Sequence, residues 1–183
     1  MRQWRSVDEK RLFSHALFEL YKRRLEADGE RRDAMVLKAP DWVNVIPVLD
    51  DGRVLLIRQW RYGSESFTLE IPGGMVEHDD EEGHREAALR ELLEETGYRA
   101  AAIEPLGTLD PNPAFMTNRV SSWLATGLEQ VFDEIPGDGQ EEIRLTARPL
   151  SEIPQLIAAG QITHSLVVAA FHLLSLSGSG RGR

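Results

Sequence analysis

Cysteine is absent from all 183 residues of the chain, which excludes disulfide bonds and thiol-based catalysis. The chain also lacks any apolar run that approaches the roughly 20 residues of a membrane-spanning helix. Its first ten residues, MRQWRSVDEK, contain no apolar segment of the kind found in signal peptides. These absences predict a cytoplasmic protein with no membrane partner.

The chain also contains fewer positively charged residues than negatively charged ones. The chain has 21 lysine and arginine residues against 30 aspartate and glutamate residues, for a formal net charge of −9 at pH 7. This excess of negative charge argues against a nucleic acid as the main partner. A small phosphate-bearing molecule remains compatible with it, because a bound metal ion can supply the positive charge.

The sequence contains no internal repeat and no linker long enough to divide it. Hydrophobic residues make up 42% of it, which suits one domain with a sizeable core. We therefore predict a single domain over residues 1–176. Residues 177–183 consist only of serine, glycine and arginine and are predicted to form a disordered tail. Within residues 1–38, segments 12–25 and 33–37 flank the turn sequence Ala27-Asp28-Gly29-Glu30, which predicts an N-terminal β-hairpin.

The rest of the chain mixes strand and helix signals. Segments 42–49 and 54–60 are rich in Val, Ile, Leu and Trp and flank Asp50-Asp51-Gly52, which predicts a second hairpin. Further strands are predicted over 104–110, 119–127 and 142–149, and helices over 151–159 and 164–176. This order predicts a layered α/β fold.

One short helical segment carries an unusual density of acid. Glu91, Glu94 and Glu95 lie within five residues and share one arc of a helix. The opposite arc holds Leu89, Leu92 and Leu93. Like charges at these spacings repel each other and oppose the helix dipole near its C-terminal end. A solvated acidic helix face is the simpler interpretation, but a bound divalent metal ion would offset this repulsion.

The flanking residues favour the metal. Ile71-Pro72-Gly73-Gly74 precedes the helix, and Gly97 stands where a helix-ending glycine belongs. The run from Arg90 to Tyr98 matches R-E-U-x-E-E-x-G-U, with U bulky and apolar, so this region resembles the Nudix box, the metal-binding signature of the Nudix hydrolases. The early acidic position of the box falls on Asp80 when counted from Gly74 and on Glu82 when counted back from Arg90. We favour Glu82, with two residues inserted in the loop before it.

The resemblance implies the Nudix fold, a mixed β-sheet sandwiched between helices, and hydrolysis that depends on Mg²⁺ or Mn²⁺. It implies metal ligands at the Gly74 carbonyl, Glu91, Glu94, Glu95 and Glu82. By the same resemblance, Arg90 pairs with a carboxylate and fixes the loop to the helix. The general base is expected in the glycine-rich acidic loop before the last strand, at Glu141 or Glu142.

Features outside the box resemble one subgroup, the ADP-ribose and nucleoside-diphosphate-sugar pyrophosphatases. They are the strand of residues 54–62, Pro113 at the place of a subgroup marker, and the N-terminal hairpin. The subgroup implies cleavage of a nucleoside diphosphate sugar to a nucleoside monophosphate and a sugar phosphate, in a homodimer formed through the hairpin. Hydrolysis of nucleoside triphosphates or dinucleoside polyphosphates is the alternative. A non-catalytic ligand sensor is disfavoured, because Glu91, Glu94 and Glu95 are all present.

Candidate substrate-binding residues follow from the same resemblance. Arg61 is expected to bind the diphosphate and Glu70 to contact the substrate. Strand alternation places Arg58 and Trp60 on one face and Gln59 and Arg61 on the other, so only one pair can line a given pocket.

Further candidates lie elsewhere along the chain. Trp42, Trp60 and Phe115 are candidates for stacking on the base or sugar, with core packing as the alternative. Asn118 and Arg119, next to the Pro113 loop, are candidates for reading the sugar.

Overall fold

A computed structural model of the protein describes residues 1–77, 83–132 and 143–179. The chain forms two compact units, one of Met1–Asp41 with Leu109–Arg119 and one of Trp42–Thr108 with Val120–Arg183. This division is finer than the single domain expected over residues 1–176. The two units are described in turn.

The first unit is built on a three-stranded antiparallel sheet. Its strands are β1 (Arg5–Ser14), β2 (Glu19–Ala27) and β3 (Glu30–Lys38), in that order. Asp28 and Gly29 join β2 to β3 with φ angles of 51° and 78°, the left-handed pair that matches the twist of a tight hairpin. The predicted N-terminal hairpin is therefore confirmed.

The hairpin has a third strand that the sequence did not predict. The prediction of a continuous strand over residues 12–25 was wrong, because the chain reverses between His15 and Phe18. At this reversal the His15 amide donates to the Phe18 carbonyl at 3.0 Å. The segment between these residues contains neither glycine nor proline, so it carried no turn signal. Residues of Leu109–Arg119 attach to β3 through Leu37, whose amide donates to the Phe115 carbonyl at 2.7 Å.

The second unit contains two sheets. One is antiparallel, in the order β10 (Arg144–Pro149), β5 (Arg53–Arg61), β6 (Ser66–Glu70). The other is mixed, in the order β7 (Gly73–Met75), β4 (Trp42–Pro47), β9 (Val120–Gln130), β8 (Tyr98–Leu109), with β4 and β9 parallel.

The predicted hairpin around Asp50-Asp51-Gly52 was wrong. A tight turn does form, with the Gly52 amide donating to the Leu49 carbonyl at 2.9 Å. However, β4 and β5 belong to different sheets and share only an isolated bridge between Val48 and Val54. The hydrogen-bonding edges of β4 are taken by β7 and β9, and those of β5 by β6 and β10.

Helices cover both faces of the central strand β4. The helices are α1 (Gly83–Thr96), α2 (Ile153–Ala158), which follows a 3₁₀ turn at Leu150–Glu152, and α3 (Ser165–Ser179). Val43 and Val45 pack in one buried cluster with Ala88 and Leu92 of α1. Ile46 packs in another with side chains of α2 and α3. The prediction of a mixed sheet between helices is confirmed.

The last helix is longer than the sequence predicted. It continues to Ser179, so residues 177–179 are helical where a disordered tail was expected, and residues 180–183 lie outside the described part of the chain. Among the described residues, no helix is long and apolar enough to cross a membrane.

Candidate functional site

Two glycines in β7 organise the site, and they lie beside α1, the helix that carries Glu91, Glu94 and Glu95. Gly73 and Gly74 pair with Asn44 and Val43 of β4. A Cβ atom at Gly74 would lie 2.5 Å from the carboxyl carbon of Glu91, and one at Gly73 would lie 2.9 Å from the Asn44 Cα. Only glycine therefore allows the strand backbone to approach both the Glu91 carboxylate and β4 this closely.

The three carboxylates of the helix occupy different environments. Glu95 is buried, with 7% of its surface exposed, and its Oε2 accepts a hydrogen bond from the Gly73 amide at 2.8 Å. The Glu91 side chain is 13% exposed, whereas that of Glu94 is 51% exposed. Glu91 and Glu95 thus face β7, and Glu94 faces outward. The sequence pattern predicted that all three carboxylates lie on an arc opposite the core. That prediction is wrong for Glu95, which is buried in α1 as Ala88 and Leu92 are.

Arg90 joins the helix to the strand. Its Nη1 donates to Glu91 Oε1 at 3.0 Å and to Glu94 Oε2 at 3.1 Å, and its Nη2 donates to the Met75 carbonyl at 3.3 Å. Burial lowers the pKa of Arg90, but the charges of Glu91 and Glu94 outweigh this and raise it above its ordinary value. The guanidinium therefore stays charged, and it holds Glu94 on the outer side of the site.

The donor atoms of this site suit a hard divalent cation. Glu91, Glu95 and the backbone of Gly74 offer oxygen ligands of the kind that Mg²⁺ and Mn²⁺ prefer. Within residues 1–77, 83–132 and 143–179, no group of three histidine, aspartate or glutamate side chains converges in metal-binding geometry. Glu82, the remaining predicted ligand, lies outside the described residues, as do Asp80 and the two predicted bases Glu141 and Glu142.

Arg61 and Glu70, both predicted to bind substrate, bind each other across β5 and β6. Arg61 Nε and Nη2 donate to the two carboxylate oxygens of Glu70 at 2.8 and 2.7 Å. The Glu70 side chain is 3% exposed and also accepts from the Thr68 hydroxyl at 2.5 Å, whereas Arg61 is 40% exposed. Burial raises the pKa of Glu70, but the hydrogen bonds from Arg61 and Thr68 outweigh it and leave the pKa below its ordinary value.

His164 is a neighbour of this pair that the sequence analysis did not select. Its Nδ1 is buried and has no hydrogen-bond partner among the described residues. Burial lowers its pKa, Glu70 raises it and Arg61 lowers it, with a net decrease. A single histidine before the last helix gave no spacing signal that could have identified it.

Replacing Glu70 by glutamine should reduce the free energy of unfolding at pH 7 by about 1 to 3 kcal/mol, because the charge-assisted bonds to Arg61 are lost. The pKa of Glu70 in the folded state lies below its ordinary value of 4.5. Its charge therefore stabilises the fold above pH 4.5, and that stability is lost as the pH falls through the lower folded-state pKa. Thermal unfolding of both proteins should show a difference that is largest at pH 7 and shrinks in acid.

The control for this variant is Glu86→Gln, which breaks the exposed pair with Arg85. Exposed pairs contribute little, so its unfolding midpoint should match that of the parent protein. Equal stability of Glu70→Gln and the parent at pH 7 would contradict the assigned ion pair.

The other predicted residues of β5 lie on the opposite face of the sheet. Gln59 is 3% exposed and Trp60 is 42% exposed, which confirms the predicted alternation. The Arg58 guanidinium lies over the ring of Phe67 at 4.7 Å, and Trp60 meets the same ring edge-on at 5.2 Å. Arg61 therefore shares a face with Glu70, and Arg58 does not.

The remaining candidates are divided between the two units. Trp42 begins β4 and pairs with Met75, the residue of β7 that follows Gly74. In the first unit, Phe115 is 45% exposed and the backbone amide of Arg119 donates to Asp41 at 2.8 Å. Asn118 is 3% exposed, and neither of its amide atoms has a hydrogen-bond partner among the described residues. Their roles in substrate binding stay predictions.

Comparisons with known proteins agree with this architecture. The chain is 27% identical over 173 residues to an ADP-ribose pyrophosphatase of Bacillus subtilis (strain 168), an alignment that covers 94% of this chain and 92% of that protein. It is 35% identical over 151 residues to an ADP-sugar pyrophosphatase of Mus musculus, with 76% and 67% covered. The crystal structure of an ADP compounds hydrolase superposes with a TM-score of 0.85 at 26% identity, with 99% of this chain and 97% of that one covered.

The family model described as the NUDIX domain matches residues 38–168, which include β7, α1 and both sheets of the second unit. This match confirms the resemblance drawn from the run between Arg90 and Tyr98. The chain belongs to the Nudix family of hydrolases.

Proposed function

We propose that this protein hydrolyses the diphosphate bond of ADP-ribose or another nucleoside diphosphate sugar, with Mg²⁺ or Mn²⁺, to give a nucleoside monophosphate and a sugar phosphate. The observation that carries the proposal is the pair of carboxylates, Glu91 and Glu95, held against the Gly73-Gly74 backbone. The names of the Bacillus subtilis and Mus musculus relatives support the substrate class.

The chemistry assigns separate tasks to the residues of the site. A bound divalent cation would neutralise the diphosphate and lower the pKa of the attacking water. Glu91, Glu95 and the Gly74 carbonyl would hold that cation, while Arg90 fixes the helix to β7. The half-exposed Arg61, oriented by Glu70, would bind a phosphate group through its planar fork. Glu141 or Glu142 would act as the general base.

A substrate panel tests the proposal. Purified protein is incubated with Mg²⁺ and ADP-ribose, GDP-mannose, UDP-glucose, dGTP or Ap4A, and the products are separated by chromatography. A nucleotide sugar should give the highest kcat/KM, with a nucleoside monophosphate among the products. A preference for dGTP or Ap4A would instead support the triphosphate or polyphosphate alternative, and no turnover of any compound would support a ligand sensor.

We further propose a homodimer that forms through the N-terminal sheet. Leu12 and Leu17 are 48% and 51% exposed, and Met35 is 47% exposed, so the first unit presents apolar side chains that a second copy could bury. A cytoplasmic location stays a prediction of the cysteine-free sequence.

Light scattering of the full-length protein should give the mass of a dimer, and the variant Leu12→Ser with Leu17→Ser should shift it toward the monomer, because two apolar contacts are lost. Tyr62→Ser, which changes an 83% exposed side chain of the second unit, serves as the matched control and should leave the mass unchanged. A monomeric parent protein would rule out this dimer.

A further inference from the structure

Helix α1 crosses the mixed sheet along a single row of residues. Gly74 in β7 and Ser121 in β9 are both direct partners of Val43 in β4, the strand between them. Paired residues of neighbouring strands point to the same face of a sheet. All three positions therefore face α1, against which Val43 packs. The row offers α1 two points of attachment, one on each side of the central strand.

One attachment point lies in the first turn of the helix. The His84 ring nitrogen Nδ1 lies 2.9 Å from the Ser121 hydroxyl oxygen, and the Trp123 indole donates to the same oxygen at 3.0 Å. Ser121 is only 4% exposed, so its hydroxyl is shielded from solvent. Because the indole can only donate, the Ser121 hydroxyl keeps its own proton and a second lone pair, and it can pair with either tautomer of His84.

The other attachment point is a carboxylate assigned above to the metal. A Cβ atom at Gly74 would lie 2.5 Å from the Glu91 carboxyl carbon, so Glu91 lies directly against the strand. His84 and Glu91 are seven positions apart, which separates them by about 20° around the helix and by about 10.5 Å along its axis. Two strand spacings measure about 9.6 Å. The separation along the helix therefore matches the separation between Ser121 and Gly74.

Between the two points the helix packs closely on the sheet. Ala87 and Ala88 lie between them in the sequence, are fully buried and pack in one cluster with Val43. Close-packed interiors transmit small displacements instead of absorbing them. A helix that is fixed on both sides of β4 resists rotation about this alanine contact, so the position of Glu91 depends on the bond that His84 makes at the other end.

We propose that His84 is a positioning residue of the metal site, which acts through Ser121 to hold Glu91 and Glu95 against β7 and thereby sets the affinity for the divalent cation. This role rests on the proposed function, because it concerns the carboxylates assigned there to the metal. Groups that bond directly to metal ligands and orient them contribute about 10- to 100-fold in metal affinity. His84 acts through the helix, so we expect an effect at the lower end of that range.

The test measures Mn²⁺ binding to the full-length, metal-free protein without substrate, by electron paramagnetic resonance of the free ion. Removing the bond at either end, by His84→Leu or Ser121→Ala, should raise the Kd for Mn²⁺ about tenfold. The double variant should bind no more weakly than either single variant, because both changes break the same bond. The same variants should raise the Mg²⁺ concentration needed for half-maximal turnover.

Three further variants separate positioning from stability. His84→Asn places an amide donor and acceptor where Nδ1 lies in the parent, so it should keep the Kd within about twofold of the parent value. His172→Leu and Ser177→Ala make the same chemical changes as the test variants at exposed positions of α3, and they should leave Mn²⁺ binding unchanged. Unfolding midpoints of the metal-free proteins verify that each variant is folded in the binding measurement.

The outcomes that contradict this role differ in what they say about the proposed function. If Glu95→Gln weakens Mn²⁺ binding while His84→Leu and Ser121→Ala keep the parent Kd, the positioning role alone is wrong, even where those two variants unfold at a lower temperature. The same conclusion follows if His84→Asn binds Mn²⁺ as weakly as His84→Leu. If the parent protein binds no Mn²⁺ and hydrolyses no nucleotide sugar, the proposed function fails and the positioning role fails with it.

Discussion

Replacing Glu95 by glutamine is expected to lower kcat/KM at least about 100-fold, which corresponds to about 3 kcal/mol in the activation barrier. Glutamine has the same size and retains an oxygen that can accept the hydrogen bond of the Gly73 amide, which lies 2.8 Å from Glu95 in the parent protein. The fold should therefore persist while the anionic metal ligand is lost. Steady-state kinetics at saturating Mg²⁺, with an unfolding midpoint for each protein, measures both effects.

Two further glutamate-to-glutamine variants distinguish the loss of a metal ligand from a general loss of negative charge. Glu86→Gln makes the same chemical change on the same helix, at a side chain paired with Arg85, and should leave kcat/KM unchanged. Glu94→Gln should cause a smaller loss than Glu95→Gln, because Arg90 holds Glu94 on the exposed side. A Glu95→Gln enzyme that is fully active and resistant to chelators would falsify the metal site.

The second large effect is expected from Gly74→Ala. The added Cβ atom would lie 2.5 Å from the carboxyl carbon of Glu91 and 2.8 Å from its Oε2, so the carboxylate must move. Misplacement of a catalytic group by about 1 Å costs on the order of 100-fold in rate. We therefore expect kcat/KM to fall by about that factor, and more Mg²⁺ to be needed for half-maximal activity.

Gly63→Ala is the matched control, because a Cβ atom at Gly63 meets no other atom within 4 Å. Its kinetics and its unfolding midpoint should match those of the parent protein. If Gly74→Ala retained the parent activity and Mg²⁺ requirement, the position of Glu91 against the strand would not matter for turnover, and Glu91 would have to be removed from the metal site.

Local signals in the sequence determined several features correctly. The turn at Asp28-Gly29 was readable because glycine and aspartate tolerate positive φ angles. The helix that ends at Thr96, just before Gly97, and the alternation along β5 were readable because periods of 3.6 and 2 depend only on neighbouring residues. The motif from Arg90 to Tyr98 was enough to identify the family, which the match over residues 38–168 confirms.

Features that depend on distant segments were decided only by the tertiary structure. The turn before β5 looked like a hairpin, but β4 pairs with β7 and β9, whose residues lie far along the chain. The pairing of Arg61 with Glu70 follows from the register of β5 against β6, and the position of Arg144 opposite Arg58 follows from the register of β10 against β5. The acidic helix was visible in the sequence, but the burial of Glu95 and the exposure of Glu94 were not. Periodicity specifies which side chains share a face, whereas burial and charge pairing depend on which other segment packs against that face.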